Sequence, residues 1–180
     1  MSVPLAYGPV AAAAVLLVAG GGLKVAKPGD TANALTALGW PGARVVVRAV
    51  AVAEVAVGVA ALAVGGQVAP ALVALSYAGF AVFVLAALRR DTPIASCGCF
   101  GEIDSPPTVA HALLCAAAAT CSAVVATRGA PRFTTVMSHQ PWNGIPLVLL
   151  IALAAYVAFL VMAVLPRTMA AARDEVQVRP

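Results

Sequence analysis

Two thiols separated by one glycine, in Ser96-Cys97-Gly98-Cys99-Phe100-Gly101, are the residues of this chain best suited to covalent chemistry. A disulfide needs Cα atoms about 4.4–6.8 Å apart. Residues i and i+2 reach that only across a bend, which Gly98 permits. So small a ring is expected to be strained, and strained disulfides are more oxidising and exchange more readily. The spacing suits a pair that passes oxidation on. It also suits a soft-metal clamp, because paired thiolates bind Cu(I) or Zn. Two small side chains in a tight turn are the third reading, and spacing alone leaves all three open.

Other residues could assist. Ser105-Pro106-Pro107 reads as an N-cap followed by early helical prolines. The N–H groups at that helix start carry partial positive charge, which lowers the pKa of a nearby thiolate. His111 falls in the first turns of the same helix, as a proton-transfer group or as a metal ligand with Cys97 and Cys99. Cys115, four residues on, shares its face and is either a resolving thiol or a packing residue; Cys121 reads as packing. Glu54 is an acid near the middle of an apolar run, a costly position and a default functional candidate. Arg48 is six residues away and on another helical face, which leaves Lys24 or backbone donors to satisfy the acid. A structural acid locking two helices together is the alternative role for Glu54.

These residues are embedded in hydrocarbon. Of 180 residues, 62% are hydrophobic and 10% charged, against roughly 25% charged in soluble domains. The chain is predicted to be an all-α polytopic membrane protein with the lipid bilayer as its main partner. The net charge of +4 falls between apolar runs, where it acts as a topology signal. No basic patch interleaves with aromatics, which excludes nucleic acid as a partner.

A span needs about 20 apolar residues, and five runs qualify: about 5–22, 45–64, 68–88, 106–127 and 144–165. Gly20-Gly21-Gly22 is read as the close of the first. Residues 31–38 form a short interfacial helix stopped by Gly39-Trp40-Pro41, with Trp40 at headgroup level. Gly65-Gly66-Gln67 is a tight turn between antiparallel neighbours. The expected organisation is a four-helix membrane domain over 1–127, a polar connection over 128–143, a fifth transmembrane helix over 144–166 and a polar tail over 167–180. The abundance of Ala, Val and Gly predicts close packing into a compact four-helix bundle, with the fifth helix laid against it. The segment from Met1 to Gly8 has no Lys or Arg, so the first run is expected to be a retained span rather than a signal peptide.

With five spans, Lys24, Lys27, Arg44, Arg89, Arg90, Arg167, Arg173 and Arg179 share one side, and Arg128 and Arg132 lie on the other. The positive-inside rule then predicts a multi-pass cell-membrane protein with its N-terminus outside and its C-terminus cytoplasmic. The cysteine pair would fall on the cytoplasmic side.

The run Ala95-Ser96-Cys97-Gly98-Cys99-Phe100-Gly101 resembles the CGCFG signature of the methylamine-utilisation protein MauE family, within the wider DoxX-like membrane group. Lys24, Pro28, Trp40-Pro41, Arg48 through Glu54 to Gly58, Arg89-Arg90 and His111 also resemble that family's layout, over roughly residues 5–127. The resemblance implies a four-helix membrane protein of thiol–disulfide exchange, supporting maturation of exported proteins beside a thioredoxin-like or other cysteine-containing client. Cys97 and Cys99 carry over as the redox pair, and Glu54 and His111 as family-like polar positions. A quinone is compatible as electron acceptor, as in other membrane bundles that form disulfides, but no residue defines a site for it. Exported clients would most simply place the thiols outside, in tension with the charge count. Which cysteine attacks is not assigned. The rival classes are a copper or zinc protein using Cys97, Cys99 and His111, and a non-catalytic subunit or scaffold of a larger membrane complex.

Overall fold

The computed structural model describes residues 3–40, 42–89, 107–164 and 168. Cys97, Cys99, Ser105 and the tail from residue 169 onward lie outside the described residues. Seven α-helices occur among them: α1 (Val3–Ala26), α2 (Gly29–Ala37), α3 (Arg44–Ala63), α4 (Val68–Leu88), α5 (Val109–Arg128), α6 (Phe133–Ser138) and α7 (Ile145–Phe159). Five helical segments are long and apolar enough to cross a bilayer, with mean hydropathies from 1.8 to 2.9. The protein is an all-α polytopic membrane protein.

Each span presents apolar side chains outward. Val45, Leu75, Leu113 and Leu149 are 65–78% exposed, which is tolerable only where hydrocarbon replaces water. Inside, small residues bring the helices together. α1 runs along α3, α4 runs along α5, and α7 packs on α1. α1 is the most enclosed, with Val10, Ala11, Ala12, Ala13, Ala14 and Leu17 all buried. Tyr77 ties the two pairs together by donating its hydroxyl to the Ala13 carbonyl at 2.8 Å.

Three boundaries differ from expectation. α1 does not close on Gly20-Gly21-Gly22 but continues to Ala26, because Gly21 is a contact point with α3. α5 begins after both prolines, with Thr108 as its N-cap in an extended conformation. The residue before a proline is disfavoured in helical geometry, so the chain defers the helix until Pro107 is passed. The polar connection after α5 contains α6, and a 3-10 turn, Pro141–Gly144, leads into α7. A π-helical turn over Leu160–Val164 follows directly on α7.

At the opposite end, Gly65 and Gly66 turn the chain at φ +72° and +82°, the left-handed region open to glycine. Gly66 and Ala130 exchange two backbone hydrogen bonds of 2.7 Å, fastening the α3–α4 turn to the chain leaving α5.

Candidate functional site

Two charges meet inside the bundle. Lys24 Nζ lies 2.5 Å from Glu54 Oε2, with the two side chains 4% and 7% exposed. The ammonium also sits over the Phe80 ring, 4.6 Å from its centroid. Moving either charge out of water costs several kcal/mol, which mutual attraction and further polar contacts must offset. A cation over an aromatic face contributes in the same sense.

Two glycines make this pair geometrically accessible. A Cβ on Gly21 would lie 2.9 Å from the Ala51 carbonyl oxygen, and one on Gly58 would lie 2.8 Å from that of Ala14. The α1 and α3 backbones therefore touch on both sides of Glu54, at a separation that larger residues would forbid. Glu54 points across this seam toward the last turns of α1, where Lys24 stands. Arg48 is exposed on another face of α3 and takes no part in the Lys24–Glu54 pair.

The pair forms part of the wall of a cavity of about 390 Å³ between the α1 end, α2, α3 and α4, lined also by Trp40, Ser76, Phe80 and Phe83. A gap of about 20 Å³ lies on its inner side against Tyr77, Cys115 and Met162, close to the size of one water. Trp40 is not purely a headgroup anchor. Its ring meets Phe83 edge-on, centroids 5.9 Å apart and planes at 65°. Neither the cavity nor its aromatic lining was foreseen. The available signal was Ser76, Gly79, Phe80 and Phe83 at helical spacing on one strip of α4.

The second polar site is the start of α5. Thr108 Oγ1 accepts a long bond of 3.4 Å from the His111 backbone N–H. It also lies 2.7 Å from His111 Nδ1. His111 is fully buried, and among the described residues its Nε2 has no hydrogen-bond partner. Cys115 is buried on the same helical face, whereas Cys121 is only half-buried. Among the described residues no three His, Cys, Asp or Glu side chains gather as a metal site would require. Cys97 and Cys99 belong to the connection between α4 and α5, outside the described residues.

Five membrane-crossing helices around a buried lysine–glutamate pair define an integral membrane protein whose polar chemistry is held inside a helical bundle. The family model described as methylamine utilisation protein MauE matches residues 1–129, and the chain belongs to that family. The matched stretch takes in α1 to α5 and contains Lys24, Glu54, Cys97, Cys99, His111 and Cys115. α6 and α7 follow it. No curated protein and no solved structure matched the chain.

Proposed function

We propose that this MauE-family protein is a membrane thiol–disulfide exchange protein that matures a cysteine-containing client, using Cys97 and Cys99 as its redox pair. The observation that carries the reading is the Cys97-Gly98-Cys99-Phe100-Gly101 run within the family-matched stretch. It precedes an α5 whose third residue, His111, is buried with an uncommitted Nε2 among the described residues. In the oxidising direction, a client thiolate attacks the Cys97–Cys99 disulfide, forms a mixed disulfide and releases the other sulfur as thiolate. The client's second thiolate then attacks the mixed bond. The client leaves oxidised, and the pair holds two electrons and, once protonated, two protons. Exchange with the disulfide of a thioredoxin-like partner resets it. His111, whose imidazole can both accept and donate a proton, is suited to moving one of those protons.

The test is trapping in membranes of cells that express the full chain. Cys97→Ser and Cys99→Ser are each expected to change the yield of a reductant-sensitive adduct with a client, and the variant that keeps the attacked sulfur accumulates it. The double variant Cys97→Ser/Cys99→Ser is expected to form none. Failure of both single variants to trap an adduct, with stoichiometric copper or zinc in the purified protein, would replace this reading with the metal one. Full client maturation in cells carrying the double variant would leave a scaffold role.

A further inference from the structure

The cavity beside Lys24 and Glu54 has chemistry that thiol exchange at Cys97 and Cys99 does not use. Its volume of about 390 Å³ is within the range of pockets that hold small organic ligands. Its outer wall is Val46, Val50 and Leu75, which are 48%, 53% and 69% exposed. Those residues lie on spans α3 and α4, so the mouth faces hydrocarbon, and an occupant enters from the lipid phase. Its inner wall carries the buried Lys24–Glu54 pair, while Ser76 on the lining already donates its hydroxyl to the Leu72 carbonyl at 3.0 Å.

The walls also specify shape and charge. Trp40, Phe80 and Phe83 contribute three aromatic rings, which favour a flat, conjugated guest through stacked or edge-on contacts. The lysine's charge is matched by Glu54, so an anionic headgroup would find no surplus positive charge. An ammonium has three N–H donors, and Lys24 directs Nζ at Glu54 and at the Phe80 ring. A third N–H direction suits a neutral carbonyl oxygen. An acyl chain would satisfy the outer wall and waste the inner one.

We infer that this cavity is a lateral binding site for the ring of an uncharged, lipid-soluble carbonyl compound of the quinone class, with Lys24 donating to a ring carbonyl and Trp40, Phe80 and Phe83 enclosing the ring. The assignment rests on the cavity alone and stands or falls independently of the cysteine pair.

Trp40 provides the readout, because the chain has two tryptophans and Trp142→Phe leaves it as the single tryptophan, excited selectively at the red edge of indole absorption. The full chain in that background, in nanodiscs, is titrated with decylubiquinone. Trp40 emission is expected to be quenched saturably. Gly79 lies on the cavity wall, and a Cβ there meets nothing within 4 Å. Gly79→Leu therefore fills the cavity without disturbing the core and is expected to weaken the apparent affinity about tenfold with an unchanged melting temperature. Ala53→Leu, projecting from α3 into the same space, is expected to do likewise. Decanol, which has a tail and no ring, is expected not to compete. Quenching that rises linearly with mole fraction and is identical in both filled variants overturns the site. Equal displacement by decanol replaces it with an acyl-chain groove and equally overturns the proposal.

Discussion

At the scale of single residues, the chain keeps one lysine and one glutamate where lipid makes charge most expensive. Lys24 and Glu54 are 30 positions apart in sequence and 2.5 Å apart in space. Removing one partner strands the other, which typically costs about 3–5 kcal/mol, whereas replacing both with apolar residues is often neutral. Lys24→Met alone is therefore expected to lower the melting temperature of the detergent-solubilised protein sharply. Lys24→Met/Glu54→Leu is expected to recover most of the loss. An unchanged melt for Lys24→Met would mean that the pair contributes nothing to holding α1 on α3. Glu54 was legible as a costly residue from its place in an apolar run, and Arg48 was legible as a poor partner from its helical angle. That Lys24 is the partner depends on how closely α1 and α3 approach, which sequence spacing does not carry. The α5 cap shows the same limit. Ser105 has the right type for a cap, but two prolines follow it, and Thr108 is the first residue beyond them able to cap a continuous helix.

At the scale of elements, the glycines decide which helices become neighbours. Bilayer lipid is as apolar as any valine, so helices associate through close packing rather than through expulsion from water. Gly21 and Gly58 permit that packing on facing sides of one seam. A side chain at Gly58 would overlap Val18 Cγ2, 2.6 Å from its Cβ, and crowd the Ala14 carbonyl. Overpacking of this kind costs about 1–3 kcal/mol. Gly58→Leu is expected to lower the melting temperature and to part Lys24 from Glu54. Gly22→Leu, one position from the seam residue Gly21 and with nothing within 4 Å of its Cβ, is expected to melt as the parent does. Equal losses at both positions would show general helix disturbance rather than a packed seam. The five spans themselves were readable from length and hydropathy, because a bilayer imposes both. The Gly20-Gly21-Gly22 run was misread as an ending because glycine weakens an isolated helix. In a bundle, the same absence of a side chain is what a crossing helix requires. α6 escaped notice for a related reason: six residues over Phe133–Ser138 are too few for a hydrophobic period to declare itself.

At the scale of the whole molecule, the fold decides which basic residues count toward orientation in the bilayer. α1 ends, α3 begins, α4 ends and α5 begins at one end of the bundle, and the α3–α4 turn and the chain after α5 lie at the other. Lys24 belongs to the interior, 3% exposed, and does not act as a loop charge. Of eight basic residues assigned to the first end, removing Lys24 leaves seven, against Arg128 and Arg132 at the other. The asymmetry survives, and Arg48, exposed one turn inside α3 from Arg44, adds to the same side. Charge bias of this size favours a cytoplasmic location for the α2 end, and chain connectivity puts the segment containing Cys97 and Cys99 between two helix ends of that side. The expectation is testable with two exposed reporter positions, Ala37 at the end of α2 and Gln67 in the α3–α4 turn. Each is changed to Cys in a Cys97→Ser/Cys99→Ser/Cys121→Ser background, where the remaining Cys115 is fully buried. A membrane-impermeant maleimide added to intact cells is expected to label Gln67→Cys at once and Ala37→Cys only after lysis. The reverse pattern would place the α2 end outside, where the cysteine pair would meet exported clients directly and where the basic residues would act against the usual rule.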